Sequence, residues 1–375
     1  MNGTGSSNAM QLWLCHSLVR SVLCGALGFG YSYTQSYIPL VIMAAGVIVT
    51  IYSIIEIYCN TFFVTTHLLS KTRAMFGVTI LGNNSALPAY DRHPTAQIVT
   101  LNDQLFLIDC GEGTQMQLTR YRIRRSKISH IFISHLHGDH YFGLPGLLTS
   151  FSLMNREQDL HLHAPAPLQQ ILELQFATAD TRFSYKLHFH ALGEPGTIIE
   201  DEKFTVETFK MFHRIDCWGF VIREKKKPRK IDGERIAGAG IPAVFYERLK
   251  DGEDYITKSG ERILNASVTI PNTPPKSYVF CGDTIYNESV CNHIQNATLL
   301  YHESTFLKDQ AERAASRFHT TTIQAANIAR LANANRLLIG HFSSKYEALE
   351  PFLTETAAIF PDTQLAIEGV TYIIR

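Results

Sequence analysis

The chain has 375 residues, 45% of them hydrophobic, enough to bury a sizeable core as one large domain or two small ones. Its 34 basic and 34 acidic residues cancel, which excludes a globally basic nucleic-acid binder; such a partner would have to meet a local patch. The seven cysteines are widely spaced and include no CxxC, which excludes a disulfide framework and fits free thiols in a reducing, cytoplasmic compartment.

Residues 1–74 carry one acidic residue, Glu56, and only Arg20, Lys71 and Arg73 as basic ones. Apolar stretches run over 18–29 and 37–55. The second comes close to the roughly 20 residues that a bilayer crossing needs. This leader reads either as a membrane segment that would anchor the protein or as a misassigned start, because Met75 opens "MFGVTILG", a natural first strand.

From there strands and helices alternate over 75–375. "FGVTILG" is a strand and "NNSALPAYDRHP" a loop, and "TAQIVTL" with "QLFLIDCG" forms a hairpin around Asn102-Asp103. "GEGTQMQLTRYRI" predicts a short amphipathic helix. A strand over 128–133 runs into the histidine-rich "SHLHGDH". The helix in "YFGLPGLLTSFSLMN" presents Leu147, Leu148, Phe151 and Leu153 to a sheet. "LHLHAP" is a strand, "APLQQILELQFATA" a helix with Pro167 near its first turn, and "KLHFHAL" and "FTVETFKMFH" are strands. A long charged excursion follows. Then "KSYVFCGDT", "ATLLYHEST" and "RLLIGHFSS" are strand-to-loop units, with the helix "TIQAANIARLANA" between the last two. The mixture excludes all-α and all-β folds. Polar residues recur at strand ends, where open α/β architectures place their sites.

The sharpest signal is His135-Leu136-His137-Gly138-Asp139-His140, four potential ligands directly after an apolar strand. Such a density of imidazole and carboxylate needs compensation if buried, and metal coordination supplies it. Gly138 relieves crowding so that a tight turn can aim side chains two ways. His213, Asp283 and His341 each follow a strand and complete the set. A closed structural zinc takes four ligands, so seven candidates imply two ions.

"SHLHGDHYFGLPGLL" resembles the HxHxDH signature of the metallo-β-lactamase fold, in the form used by ribonuclease Z, the endonuclease that matures transfer RNA 3′ ends. "LGNNSALP", "DCGEGTQ", "GDT", "HEST" and "GHFSSKY" resemble further blocks of that family, in the same order. The resemblance implies an αββα sandwich: two mixed sheets face to face, helices outside, the metal site at one edge. It implies that His135, His137 and His213 hold one Zn2+, that Asp139, His140 and His341 hold a second, and that Asp283 bridges them, with Mn2+ the alternative metal. Asp139 would orient the attacking water, and His302 would assist the departing 3′ oxygen, oriented by Glu303. Ser85 to Pro88, Gly111, Gly113, Thr114, Gln115, Ser343 and Lys345 fall in blocks near substrate, and Asp109 reads as an organiser of the metal loop. Lys345 stands where the family more commonly has Arg, which keeps the charge but loses the planar fork.

The dense basic run "REKKKPRK" at 223–230 opens an insertion between His213 and Asp283. Residues 221–255 resemble the flexible arm with which ribonuclease Z holds transfer RNA, although the family's Gly-Pro tip is only partly retained in "AGIPAVFYERLKDG". A basic arm would meet RNA through phosphates despite the neutral total charge. The family's arm serves a partner subunit's site, so a homodimer is implied too. The function expected is removal of 3′ trailers from precursor transfer RNA. The alternative is a small-molecule phosphodiesterase or arylsulfatase-like hydrolase of the same fold.

Overall fold

Fourteen strands build two seven-stranded sheets in the computed structural model, which describes residues 76–375. The first sheet takes β1 Phe76–Gly82, β2 Ala96–Leu101, β3 Gln104–Ile108, β4 Ile128–Phe132, β5 Leu160–Pro165 and β6 Leu187–Leu192. The second takes β7 Gly196–Glu200, β8 Phe204–Met211, β9 Cys217–Glu224, β10 Ser277–Cys281, β11 Leu299–Glu303, β12 Leu337–Gly340 and β13 Thr363–Leu365. Strand β14, Thr371–Ile373, returns to pair with β1. The spatial orders are β14-β1-β2-β3-β4-β5-β6 and β13-β12-β11-β10-β9-β8-β7. Each sheet is antiparallel in one part and parallel in the other; the parallel pairs are β3–β4–β5–β6 and β10–β11–β12–β13. The β2–β3 hairpin turns at Asn102 and Asp103, whose φ of 48° and 71° are the left-handed pair that such a two-residue turn requires.

Alternation decides what each face buries. Phe106, Phe132, Trp218, Phe220, Phe280 and Tyr301 point between the sheets and form the central core. Outside the first sheet pack α1 Thr114–Arg120, α2 Leu144–Leu153 and α3 Pro167–Thr178, through residues such as Leu118, Leu147, Leu148, Phe151 and Leu168. Leu153, expected on that apolar face, is instead 79% exposed. Between β11 and β12 run α4 Ala311–Arg317 and α5 Thr322–Leu331, and α6 Glu350–Ala357 follows. Ala325, Ile328, Ala329 and Phe352 of α5 and α6 cover the outer face of the second sheet. The result is the expected αββα sandwich.

Two departures concern the excursion. Residues 221–224, expected in the arm, are the end of β9, paired with β8 and β10 and buried except for Arg223. The run "CWGFVI" is buried on both faces, so it lacks the alternation by which a strand is recognised. The inserted segment therefore spans 225–276, against an expected 221–255. It is a small lobe with its own core of Ile236, Ile241, Leu249 and Val268, braced by the pairings of Lys230–Ile231 with Thr269–Ile270 and Tyr255–Ile256 with Arg262–Ile263. The basic run forms its neck: Lys225 pairs with Glu200, Lys227 with Glu224 at 3.4 Å, and Arg229 Nε donates to Thr269 Oγ1 at 2.6 Å. Val244 in this lobe is 90% exposed. The leader over 1–74, read as a membrane segment or a misassigned start, lies outside the described residues. Among the described residues no helix is long and apolar enough to cross a membrane.

His130 on β4 and His163 on β5 sit in the inner face of the first sheet, beside Phe106 and Phe132. Burial, then the neighbouring imidazoles, lowers His130 to about 4 and His163 to about 3. Both folded values lie below the ordinary histidine value near 6.5, so as pH falls the unfolded chain binds protons first. Stability is expected to be full above about pH 6.5 and to fall below it, by up to about 1.4 kcal/mol per pH unit for each histidine. Melting curves from neutral pH to about pH 5 check this. Replacing both residues with phenylalanine should flatten the dependence, and parallel curves for wild type and variant would contradict the assignment.

Candidate metal centre

Six of the strands end at one rim, and their end residues build the site. Asp109, just past β3 at a left-handed φ of 56°, organises the histidine-rich loop as expected. Its Oδ1 accepts from Ser134 N at 2.7 Å, and its Oδ2 accepts from Ser134 Oγ at 2.9 Å and pairs with His140 Nδ1 at 2.7 Å. That bond fixes the His140 ring and leaves Nε2 as its free ligand atom. A Cβ at Gly138 would lie 2.3 Å from the ring of Phe142, which is 64% exposed and would have to swing aside. Gly111 serves the protein's own packing: a Cβ would lie 2.4 Å from the carbonyl oxygen of Asp139.

The structure brings all seven expected ligand residues together, in two sets that share Asp283. In the first, His137 Nδ1 lies 2.9 Å from His135 Nε2 and 3.1 Å from His213 Nε2. Asp283 Oδ2 lies 3.6 Å from His135 Nε2 and 3.9 Å from His213 Nε2. In the second, Asp283 Oδ1 lies 3.4 Å from His140 Nε2 and 3.2 Å from His341 Nε2. Asp139 Oδ2 lies 3.6 Å and 3.5 Å from the same two nitrogens. Donors about 2.0–2.1 Å from a tetrahedral zinc stand about 3.3 Å from one another, so both sets fit an ion. His140 Nε2, His341 Nε2 and Asp283 Oδ1 are buried without a hydrogen-bond partner and converge on one point, as ligand atoms would. His341 holds this position at a left-handed φ of 61°.

The protonation pattern is that of a cation site. Burial, with neighbouring imidazoles, holds His135 well below its ordinary value and lowers His137 to about 4, so both offer lone pairs. Burial opposes charge on His140 as well, but Asp283, Asp139 and Asp109 together hold it protonated well above that value. Against the same burial, His341 and His140 keep Asp283 ionised, and His140 with His341 keeps Asp139 ionised. The proton on His140 thus answers a surplus of carboxylate charge that a metal cation would neutralise.

His302 does not reach this cluster. In β11 successive side chains alternate: Leu300 joins the outer core and Tyr301 the inner one, which puts His302 on the outer face and Glu303 on the inner. His302 Nδ1 meets only the Glu303 carbonyl oxygen, at 2.7 Å, and the side chain is buried. The imidazole at the centre is His319, which no strand-end motif in the sequence marks. Its Nδ1 lies 3.0 Å from Glu303 Oε1 and 3.9 Å from Asp283 Oδ2. Glu303 is fixed in turn by donors from Thr284 N, Thr305 N, Thr305 Oγ1 and Thr320 N. Burial disfavours charge on His319, yet Glu303 and Asp283 raise it to about 9. His319 follows α4 and precedes the Thr321 cap of α5, not an apolar strand. The "FHTTT" run before a helix was the available signal.

The remaining expected residues divide. Ala86, in the exposed part of the 85–88 loop and at φ 63°, donates its N–H to Asp139 Oδ2 at 2.9 Å. Thr114 Oγ1 donates to the Gly111 carbonyl at 2.7 Å, and Gln115 donates to Ser150, so both hold the protein's own loops. Gly113 has φ 83° and opens α1. Ser343 is half-buried and Lys345 exposed, the latter with its amine 5.6 Å from the Tyr346 ring centroid.

Comparison with known proteins agrees with this geometry. Residues 76–226 match the family profile described as anti-Pycsar protein Apyc1. Ribonuclease Z of Bacteroides fragilis is 42% identical over 297 residues, covering 79% of this chain and 98% of that protein. Ribonuclease Z of Bacteroides thetaiotaomicron is 43% identical over 302 residues, covering 80% and 96%. Among solved structures, the short form of human tRNase Z superposes with a TM-score of 0.59 at 25% identity, covering 80% of this chain and 99% of that one. A metallo-β-lactamase fold protein of Bacillus subtilis shares the fold, at a TM-score of 0.56 and 20% identity over 79% of this chain and 98% of that one. With Asp283 facing both clusters of candidate ligands and relatives above 40% identity matched over nearly their whole length, the chain belongs to the ribonuclease Z family.

Proposed function

We propose that the protein is a metal-dependent endoribonuclease that removes 3′ trailers from precursor transfer RNA. The observation that carries this is Asp283, whose two carboxylate oxygens face different ligand sets, in a chain whose relatives are ribonuclease Z. His135, His137, His213 and Asp283 would hold one Zn2+, and Asp139, His140, His341 and Asp283 the other. Imidazole and carboxylate suit zinc, with Mn2+ the alternative. Bound cations supply Lewis acidity to the attacking water and to the phosphate.

The chain's own groups do the rest. Asp139, steered by the Ala86 N–H, orients the attacking water and accepts its proton. His319, not His302, gives a proton to the departing 3′ oxygen, because Glu303 engages its Nδ1 and keeps the ring charged. Attack on phosphorus leaves a 3′ hydroxyl on the transfer RNA and a 5′ phosphate on the trailer.

The lobe over 225–276 is assigned to gripping the RNA. A homodimer is part of the proposal, supported by Met116, Phe142, Leu153 and Leu174, which are 71%, 64%, 79% and 72% exposed on the helical side of the first sheet. Because Arg223 pairs directly with Ser277, a tight turn can replace the lobe without disturbing β9 or β10. That deletion is expected to lower kcat/KM for precursor transfer RNA by on the order of 10²-fold, as loss of a few phosphate contacts does, and to spare a small aryl phosphodiester. Steady-state rates on both substrates check it. Equal losses on both would favour the small-diester hydrolase instead.

A further inference from the structure

Five histidines that belong to neither ligand set form an array on β4, β5 and β6. The sequences "HLH" at 161–163 and "HFH" at 188–190 put two imidazoles on one face of each strand, because side chains alternate. Parallel register sets His130 opposite His161, His161 opposite His188, and His163 opposite His190. The rings stack across the strands, with centroids 4.8 Å apart for His130–His161, 4.7 Å for His161–His188 and 4.5 Å for His163–His190.

Diagonal pairs bring ring nitrogens together: His161 Nδ1 lies 2.9 Å from His190 Nε2, and His130 Nδ1 lies 3.2 Å from His163 Nε2. These separations match those between His135, His137 and His213 at the metal centre, 2.9 and 3.1 Å. Nitrogens about 2.0–2.1 Å from one cation stand about 2.9–3.3 Å apart, so each pair can close on an ion. Strand β6 is the sheet edge, and His190 is exposed, which gives a path from solvent. Asp159 Oδ2 engages His188 Nε2 at 2.7 Å and so fixes the ring that stacks on His161.

We propose that this array is a second transition-metal site, seated on His161 and His190 at the sheet edge, open to water on its outer side, and taking a divalent cation such as Cu2+, Ni2+ or Zn2+. Burial, and then the neighbouring imidazoles, lowers the pKa of both residues, which keeps their lone pairs available at neutral pH. Imidazole sites follow the general order of affinity in which Cu2+ binds most tightly, so copper is the sensitive probe.

The test equilibrates the zinc-loaded full chain with Cu2+ and compares wild type with the His161→Gln/His190→Gln double variant. Wild type is expected to hold one more copper ion per chain than the variant, with nitrogen hyperfine structure in its electron paramagnetic resonance. Both should keep the same zinc content and the same nuclease activity. Equal copper counts in the two proteins would overturn the proposal. If the variant fails to fold, the wild-type spectrum decides alone: imidazole-bound copper beyond the zinc-filled centre supports the site, and its absence rejects it.

Discussion

Replacing Asp283 with alanine is expected to strip both cations and lower cleavage by about 10³-fold or more, since several kcal/mol of barrier stabilisation go with them at about 1.4 kcal/mol per decade. The reason lies in the placement of one carboxylate. Asp283 Oδ1 faces His140 and His341, while Oδ2 faces His135 and His213, and the residue is 2% exposed. Two unit charges about 4 Å apart repel by about 4 kcal/mol at an effective dielectric of about 20, and two dications by roughly four times that. The shared anion offsets this repulsion, which imidazole ligands, binding through neutral nitrogens, would not. Elemental analysis and single-turnover cleavage of the variant check the expectation. Asp283→Asn keeps the shape but loses the charge and should fall nearly as far. Retention of two ions and near-normal turnover by the alanine variant would contradict the bridging role.

The second large effect separates His302, to which the sequence pointed, from His319, to which it did not. His319→Gln is expected to lower kcat by about 10²–10⁴-fold, the usual contribution of a positioned proton donor, with KM and metal content kept. His302→Gln should leave turnover nearly unchanged, because that ring lies on the outer face of β11. Protonated His319 is the active donor, so the rate should fall as pH rises through its pKa. Glu303 and Asp283 raise that pKa to about 9, and bound cations would pull it down, so the alkaline limb should lie below about 9. The limb should disappear in His319→Gln. A large kcat loss in His302→Gln and none in His319→Gln would reverse the assignment.

The convergence of the seven candidate ligands was legible because each follows an apolar strand, and strands β4, β8, β10 and β12 do deliver them to one rim. His319 was hidden because a helix junction delivers it, where no strand signal precedes it. His302 was misplaced for a different reason. Two neighbouring residues on a strand face opposite ways, and "YHE" does not say which of them faces the metals. Strand β9 escaped because both of its faces are buried, and with it went the true start of the inserted lobe. The lobe's extent was equally hidden, since its small core is assembled from residues between 236 and 268 that show no sustained period.

The most direct measurement is anomalous X-ray scattering from crystals of the zinc-loaded full chain. Two peaks are predicted about 3.5–4 Å apart, one on either side of the Asp283 carboxylate, each within bonding distance of three further side chains of its set. A single peak, or zinc bound away from Asp283, would contradict the paired-cation centre on which the proposed reaction depends.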